Sequence, residues 1–410
     1  MYQSSSNNKN LKRFFKPIGF VLAIIITFFA GNYISRYGIV IGKDSSKYGT
    51  LIKYADDVDK FKGLFEVKED LMKLYVGEID EEAMVDGAIK GMTNSLNDPY
   101  TVFMNKEEYE RFMQSNSGEF KGIGVYVKLQ EDRVVIDSTI SGGPAERAGL
   151  KGGDIILKVD GEEIGNDQSK AVSLITGAEN SKVNITVSRS DKELDFNVNR
   201  ETIKTISVRS EMLGDNIGYI NLSTFNKDVS VEVTNSIQEL LNKGMKGLIL
   251  DLRGNGGGYL VEAINIASQF IPKNDVITYR IDKYENKEIS KSNGGIAIGL
   301  PLVILTDGGT ASASEVVTGA LKDYNAAVTV GTTTFGKGVV QLPFELDSGI
   351  GGLKVTVSKY YTPKGNDINK KGISPDYEVK LTEEDVNREY SKETDPQLQK
   401  GIEVIKDKIK

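Results

Sequence analysis

The hydrophobic positions in the first third of the chain recur at helical spacing. They predict one helix that begins near Ala55 and a second that contains Met84, Ala88 and Met92. The apolar stripe of the first helix consists of Phe61, Leu64, Phe65, Val67, Leu71, Leu74 and Tyr75. The turn Asn97–Tyr100 ends this segment, and a short helix is predicted around Lys106–Met113. Since about 60 helical residues make a poor core alone, we expect the segment to pack on the rest of the protein or on a second subunit.

The pattern changes at Gly118 to short stretches of β-forming residues. Strands are predicted over Val125–Leu129, Val134–Ile140, Ile155–Val159 and Val183–Val187. The segment Gly142–Ala145 opens a short helix that stops at Gly149, another helix lies near Ser169–Leu174, and Asp160-Gly161 is a hairpin turn. This combination indicates a small, partly open β-barrel with two helices and an exposed strand edge.

From about Thr202 the chain alternates between buried strands and amphipathic helices. The unbroken apolar runs Gly247–Leu250 and Leu302–Leu305 are typical of strands that are covered on both faces. The predicted helices are a stripe from Val229 to Leu241, the segment Leu260–Ile271 and the segment Ser312–Tyr324. This third region is therefore predicted to be an α/β domain, and the charged tail from Thr382 has a helical pattern.

The N-terminus carries a hydrophobic segment after a basic one. The run from Ile18 to Ala30 extends to Ile34, follows Lys9, Lys12, Arg13 and Lys16, and no acidic residue precedes Asp44. The pattern predicts a transmembrane anchor over residues 18–36, with residues 1–17 in the cytoplasm and the remaining chain outside. A cleaved signal peptide is the alternative, and it is disfavoured because Phe28 or Phe29 occupies the position where cleavage requires a small residue.

Composition excludes several classes of chemistry. The 51 basic and 58 acidic residues give a net charge of −7, which disfavours a nucleic-acid partner. The chain has no cysteine, and hence no disulfide, thiol nucleophile or thiolate metal site. It has no histidine either, which excludes a Ser–His–Asp triad and an HExxH zinc site. An acyl-transfer enzyme with this composition needs another side chain as its base.

Two loops that follow buried strands have residues suited to acyl transfer. The loop Asp251–Gly258 is rich in glycine, so its backbone N–H groups could form an oxyanion hole. A tight turn and a nucleotide cradle are the alternatives, although no GxxxxGK[ST] motif is present. The second loop, Gly308–Glu315, places Ser312 at the start of a helix, where unpaired N–H groups stabilise negative charge. A plain N-cap formed by Thr310 or Ser312 is the alternative there.

The third loop contains a lysine between two glycines. Lys337 lies beside the apolar residues Phe335 and Val339, and burial at this position would lower its pKa. A neutral lysine can accept the proton of a serine, whereas a surface lysine in a turn is the simpler interpretation. In a chain without histidine, the combination with Ser312 and a glycine loop indicates a Ser–Lys site.

These segments, in order, resemble the C-terminal processing peptidases, the carboxy-terminal or tail-specific proteases of family S41. The resemblance covers residues 65–379 and rests on the motifs Asp98–Thr101, Phe120–Gly124, Asp251–Asn255, Ser312–Glu315, Thr334–Gln341 and Gly372–Asp376. It implies an α/β core like that of crotonase and ClpP, and serine endopeptidase activity without a metal or another cofactor. The family pattern makes Ser312 the nucleophile, Lys337 the base and Gln341 the residue that orients the base.

The 25-residue interval from position 312 to position 337 (337 − 312) matches the family and favours Ser312 over Ser314. The family's oxyanion donors correspond to the backbone N–H groups of Ala313 and of a glycine after Asn255. We assign Gly257, although this chain has three consecutive glycines where the family usually has Pro-Gly-Gly.

The resemblance identifies the small β-barrel as a PDZ domain. Its loop for a C-terminal carboxylate would include Gly122, Ile123, Gly124 and Val125, and a substrate tail would add as a strand to the open edge. Relatives often have an arginine at the position of Thr176, where in some it couples peptide binding to activation. A switch that depends on this arginine is therefore not expected here.

The resulting domain organisation is a cytoplasmic tail (1–17), an anchor (18–36), a helical segment (45–106), a PDZ domain (107–199), a protease core (200–380) and a C-terminal helical segment (381–410). We expect a homodimer in a bacterial cell membrane that takes protein tails as substrates, with the catalytic region outside the cytoplasm. A PDZ scaffold with a decayed protease core is the main alternative function, and a nucleotide-hydrolysing α/β enzyme is a further one.

Overall fold

The computed structural model describes residues 55–409 of the 410-residue chain, which divides into two units, Met1–Val85 and Asp86–Lys410. In the first unit, helix α1 (Ala55–Leu74) is followed by the start of α2 (Glu81–Asn94), as the helical spacing predicts. The Lys68 ammonium pairs with the Glu81 carboxylate at 2.6 Å. No helix within residues 55–409 is long and apolar enough to cross a bilayer, and the predicted tail and anchor, residues 1–36, lie outside this range.

The small β-domain of the second unit contains a twisted antiparallel sheet. The strands of this sheet are β3 (Val125–Gln130), β4 (Arg133–Thr139), β5 (Ile155–Val159), β6 (Glu162–Glu163), β7 (Lys182–Arg189) and β8 (Lys192–Asn199). Strand β2 (Glu119–Gly122) precedes them in the chain and lies outside this sheet. The order is β3-β4-β5-β7-β8, with β6 paired to β5, so β3 forms one edge. Two short helices, α4 (Pro144–Ala148) and α5 (Gln168–Ile175), accompany the sheet. The fully buried residues Ile123, Ile136 and Ile156 form part of its core.

The α/β core is built on a six-stranded sheet, in the order β10-β11-β12-β15-β16-β19. Its strands are β10 (Val208–Met212), β11 (Ile217–Leu222), β12 (Gly247–Asp251), β15 (Leu302–Thr306), β16 (Val328–Gly331) and β19 (Tyr377–Glu378). All neighbours pair in parallel except β10, which is antiparallel to β11. Every residue of β12 and β15 is buried, which agrees with the apolar runs in the sequence.

Helices cover both faces of this sheet. They are α6 (Val229–Asn242), α7 (Leu260–Ser268), α8 (Ala313–Asp323) and α10 (Pro396–Ile409), with the short α9 (Glu383–Asn387) before the last. Side chains of α6, α7 and α8 share one apolar core with Leu248, Leu250 and Ile304. On the other face, Leu398 and Ile405 of α10 pack with the alternate strand residues, such as Ile249. Because β12 and β15 are parallel neighbours, their carboxyl ends lie together at one edge of the sheet.

A second, antiparallel sheet stands beside the core. It contains β1 (Val102–Asn105), β13 (Val276–Asp282), β14 (Lys287–Lys291), β17 (Val339–Glu345) and β18 (Gly351–Tyr361). The long strand β18 pairs with β1, β13 and β17. Helix α3 (Lys106–Ser117) follows β1 directly and begins with a capping box between Asn105 and Glu108. The short strand β9 (Glu201–Lys204) pairs with β2 where the chain leaves the small β-domain.

Candidate active site

Ser312 stands at the turn from β15 into α8 with an unusual backbone conformation. Its φ of 56° and ψ of −114° are sparsely populated by residues other than glycine. The Ser312 N–H donates to Glu315 Oε2 at 2.9 Å, and its carbonyl oxygen accepts from the Tyr360 hydroxyl at 3.1 Å. Hydrogen bonds to both the N–H and the carbonyl oxygen of Ser312 therefore hold this backbone conformation.

The neighbouring hydroxyl groups are engaged in the structure of the loop. Thr310 and Ser314 are fully buried. The Thr310 hydroxyl donates to the carbonyl oxygen of Leu252, and the Ser314 hydroxyl donates to that of Asn255, each at 2.9 Å. Ser312 is half-buried and lines a cavity, so it is the hydroxyl of this loop that a substrate could reach.

The cavity has a volume of about 330 Å³ and brings together the residues that the sequence assigned to catalysis. Ser312, Ala313, Gly257, Lys337 and Gln341 all line it. The other lining residues are Phe112, Asn116, Thr224, Gly256, Gly258, Tyr259, Leu260, Val316, Val339, Val340, Pro343, Lys354 and Tyr360. The five predicted residues, which come from three loops or strands of the chain, therefore lie in one site.

The surroundings of Lys337 favour the neutral form of its amine, which is the form that acts as a general base. Burial and, to a smaller extent, the Lys354 charge lower its pKa, against the opposing effects of the Glu315 and Asp98 carboxylates. The Lys337 Nζ lies 4.9 Å from the centroid of the Tyr100 ring. Within residues 55–409, no hydrogen bond joins it to the Ser312 hydroxyl.

Gln341 lies in the same cavity, at a bulge of β17. Its Nε2 is 3.5 Å from the Thr356 hydroxyl on β18, a long hydrogen bond. The described contacts of Gln341 do not include a hydrogen bond to the Lys337 amine. The predicted orienting contact is thus not formed in this arrangement.

Glu315 connects the turn of Ser312 to the turn of Lys337. Its side chain is fully buried. Oε1 accepts from the Thr334 hydroxyl at 2.5 Å and the Gly336 N–H at 2.7 Å. Oε2 accepts from the N–H groups of Ser312, at 2.9 Å, and Lys337, at 2.8 Å. Glu315 lies in one of the sequence motifs but was not predicted to have a role; its position three residues after a helix-initiating serine was the available signal.

Gly257 lies directly against the nucleophile turn. A Cβ at this position would be 2.9 Å from the Ala313 nitrogen and 2.9 Å from the Ser312 Cβ, and its φ is 101°, so the position requires glycine. The Gly257 N–H donates to Asn255 Oδ1 at 2.9 Å. The Ala313 N–H has no acceptor within residues 55–409. Of the two predicted oxyanion donors, Ala313 is therefore available as it stands and Gly257 is engaged.

Comparison with known proteins supplies the family. Residues 216–379 match the model of peptidase family S41, residues 122–199 match a PDZ domain, and residues 38–108 match the N-terminal domain of the activating protease CtpB. The carboxy-terminal processing protease CtpA of Bacillus subtilis is 37% identical over 377 residues, which cover 91% of this chain and 78% of CtpA. The chain belongs to the carboxy-terminal processing proteases of family S41.

Further similarities agree with this assignment. Carboxy-terminal processing protease CtpB of Bacillus subtilis is 36% identical over 329 residues, which cover 79% of this chain and 68% of CtpB. A solved S41 protease from Bacteroides fragilis has a TM-score of 0.51 at 18% identity, and the match covers 81% of this chain and 92% of that one. This structure shares the fold. The chain is thus a serine peptidase with a PDZ domain.

In the PDZ domain of this S41 protease, the loop between β2 and β3 contains two backbone N–H groups without an acceptor in the described part of the chain. The carbonyl oxygens of Ile123 and Gly124 accept from the N–H groups of Ala145 and Ile140, at 2.8 and 2.9 Å. No acceptor within residues 55–409 is found for the Ile123 and Gly124 N–H groups. Gly122 ends β2, and Val125 begins the edge strand β3. Both unpaired N–H groups belong to buried residues.

A buried arginine, Arg200, lies close to Thr176. Position 176 is the one at which some relatives have an arginine. The Arg200 guanidinium donates to the carbonyl oxygens of Leu174, Ile175 and Lys182 at 2.7, 2.9 and 2.8 Å. It thereby caps the C-terminus of α5 from the segment that leaves the PDZ domain. Arg200 could not be identified from the sequence, because an arginine between two strands carries no local signal of this contact.

Proposed function

We propose that this protease cleaves peptide bonds with Ser312 as nucleophile and Lys337 as general base. The single observation that carries the proposal is the cavity that both residues line, in a chain without histidine. The lowered pKa of Lys337 supports this role, because a larger fraction of its amine is neutral at a given pH than in an exposed lysine.

The proposed reaction begins when the neutral Lys337 amine takes the proton of the Ser312 hydroxyl. The alkoxide attacks the substrate carbonyl carbon, and the resulting oxyanion is bound by the N–H groups of Ala313 and Gly257. Gly257 must first exchange its hydrogen bond to Asn255, which couples the oxyanion hole to substrate binding. Lys337 then returns the proton to the leaving amine, and water hydrolyses the acyl-enzyme.

We further propose that Gln341 holds the Lys337 amine during this cycle. Both side chains line the cavity, and the 3.5 Å contact of Gln341 with Thr356 is long enough to be exchanged at low cost. Gln341→Ala should lower kcat more than it raises KM. An unchanged kcat would remove Gln341 from this role.

The dyad is tested by hydrolysis of an unstructured polypeptide with the full-length protein. Ser312→Ala and Lys337→Arg should each lower kcat by at least about 10⁴-fold, since a guanidinium stays charged and cannot act as a base. Ser314→Ala is the matched control for the nucleophile. Cleavage by Ser312→Ala at the normal rate would remove Ser312 as the nucleophile, whereas a lack of cleavage by the unmodified protein would favour a PDZ scaffold with a decayed protease core.

The PDZ domain is proposed to bind the free C-terminal tail of the substrate through Gly122, Ile123, Gly124 and Val125. The free N–H groups of this loop and the exposed edge of β3 support the proposal. A fluorescent tail peptide should bind with its free carboxylate and lose affinity as the C-terminal amide. Equal affinity of the two peptides would contradict carboxylate recognition.

We also propose a bacterial membrane location and a homodimer. The apolar run within residues 18–36 and its basic flank support a single-pass anchor with the catalytic region outside the cytoplasm. The exposed apolar side chains of α1, such as Phe65 and Leu74, support association of two copies. Carbonate-resistant membrane association and a dimer mass by sedimentation are expected, and a carbonate-soluble monomer would contradict both.

A further inference from the structure

The turn Asp98–Thr101 is held rigidly against the active site. The Asp98 carboxylate accepts from the Tyr100 N–H at 3.0 Å and from the Thr101 hydroxyl at 2.6 Å. The Thr101 hydroxyl in turn accepts from the Thr356 N–H at 3.0 Å. Because Thr356 belongs to β18, these bonds fix the turn to the sheet that carries Gln341 and Lys354.

This turn presents an aromatic ring and a carboxylate to Lys337. The ring of Tyr100 lies 4.9 Å from the Lys337 Nζ, within the range of a cation–π interaction. Burial raises the pKa of Asp98, but hydrogen bonds with Thr101, Thr356 and Tyr100 outweigh this effect and lower the pKa overall, so the carboxylate is ionised at neutral pH. Ring and carboxylate both attract the ammonium form of lysine and have little attraction for the neutral amine.

We propose that Tyr100 and Asp98 are positioning residues that hold the ammonium form of Lys337 on the Tyr100 ring, without a hydrogen bond to Ser312. Loss of the proton removes both attractions and frees the amine to turn to the Ser312 hydroxyl. The form that is released is thus the form that can act as a base. This inference rests on the proposed Ser–Lys mechanism and adds a resting position to it.

Charged groups from other elements oppose or support this position. Lys354 of β18 repels the Lys337 ammonium, and Glu315 of α8 attracts it. The buried Tyr360 hydroxyl remains neutral, because burial raises its pKa well above the usual value. Glu315 accepts four hydrogen bonds at the turns of Ser312 and Lys337, so Tyr100 and Asp98 are the partners that can be changed without removing these links.

Three variants of the full-length protein test the inference through the pH dependence of kcat/KM. Tyr100→Leu removes the ring face, and Asp98→Asn removes the charge while its single amide oxygen can still accept from the Tyr100 N–H. Both substitutions should move the acid limb of the pH profile of kcat/KM to lower pH by about 0.5 to 1 unit, because the ammonium form of Lys337 loses stabilisation. Tyr100→Phe keeps the ring and should retain the normal profile. An unchanged or raised limb in both Tyr100→Leu and Asp98→Asn would overturn the inference.

A second measurement reports the titration of Lys337 without catalysis. In a Ser312→Ala background, acetic anhydride acetylates amines only in the neutral form, and mass spectrometry of the Lys337 peptide gives the titration midpoint. Tyr100→Leu and Asp98→Asn should lower this midpoint, and Tyr100→Phe should not.

The two measurements separate the two proposals. Full activity of Lys337→Arg would refute the Ser–Lys mechanism. The acetylation midpoints of Lys337 in the Tyr100 and Asp98 variants would still test whether these residues hold its ammonium form. Unchanged midpoints in Tyr100→Leu and Asp98→Asn would refute the holding contact, whatever the activity of Lys337→Arg.

Discussion

Glu315→Gln should damage both stability and catalysis, because each oxygen of the Glu315 carboxylate serves two donors. A glutamine has one carbonyl oxygen, so its NH₂ group must face one of these donor pairs. The less costly orientation directs the NH₂ to the Thr334 hydroxyl, which can turn to accept. The Gly336 N–H then has no acceptor, and the N–H groups of Ser312 and Lys337 donate to a neutral amide.

The magnitude follows from these contacts. A buried donor without an acceptor costs about 1–3 kcal/mol, and two bonds that lose a charged acceptor each weaken by about 1 kcal/mol. We expect Glu315→Gln to lower the free energy of unfolding by about 3–5 kcal/mol. Since the same bonds set the positions of Ser312 and Lys337, kcat should fall more than KM rises.

The assay is equilibrium unfolding in urea, combined with kcat and KM for an unstructured polypeptide. Glu288→Gln is the matched control: the Glu288 carboxylate is exposed and pairs with Arg280 at 2.6 Å, so the same chemical change should cost at most about 1 kcal/mol. The reasoning is refuted if Glu315→Gln is as stable and as active as Glu288→Gln.

Three other substitutions give separate predictions. Ser314→Ala removes the buried bond to the Asn255 carbonyl oxygen, so it should cost about 1 kcal/mol in urea unfolding yet keep kcat within about tenfold; a loss as large as that of Ser312→Ala would contradict our choice of nucleophile. Lys354→Met removes a positive charge that lowers the pKa of Lys337. The acid limb of the pH profile of kcat/KM should therefore move to higher pH, opposite to the shift expected for Asp98→Asn. An unchanged profile would show that the Lys354 charge does not affect the pKa of the base. Arg200→Lys keeps the charge but loses the planar group that caps α5. Affinity for a tail peptide should therefore fall by about tenfold in fluorescence anisotropy; an unchanged affinity would show that this cap does not support peptide binding.

The parallel sheet and the position of Ser312 could be predicted from the sequence because their signals are local. The apolar runs Gly247–Leu250 and Leu302–Leu305 could be buried only between two layers of helices, and they form β12 and β15. A loop after each of these strands must reach the same edge. The nucleophile loop and the glycine loop were therefore expected to meet, as the contact of Gly257 with Ser312 shows.

The antiparallel sheet was not predicted, because its pairing joins distant parts of the chain. Strand β18 alternates apolar and polar residues, but nothing local shows that it pairs with Val102–Asn105. For the same reason, the contact of Tyr100 with Lys337 and the four bonds of Glu315 could not be read from spacing. The engagement of the Gly257 N–H by Asn255 depends on a side-chain orientation that the sequence does not encode locally.

The most direct test of the central claim is the location of the acyl group in a trapped acyl-enzyme. The full-length protein is treated with a slowly deacylating nitrophenyl ester, digested and analysed by mass spectrometry. We predict that the added mass lies on Ser312, decreases strongly in Lys337→Arg and is absent in Ser312→Ala. An adduct on a different residue, with Ser312→Ala still able to cleave a polypeptide, would contradict the Ser312–Lys337 mechanism.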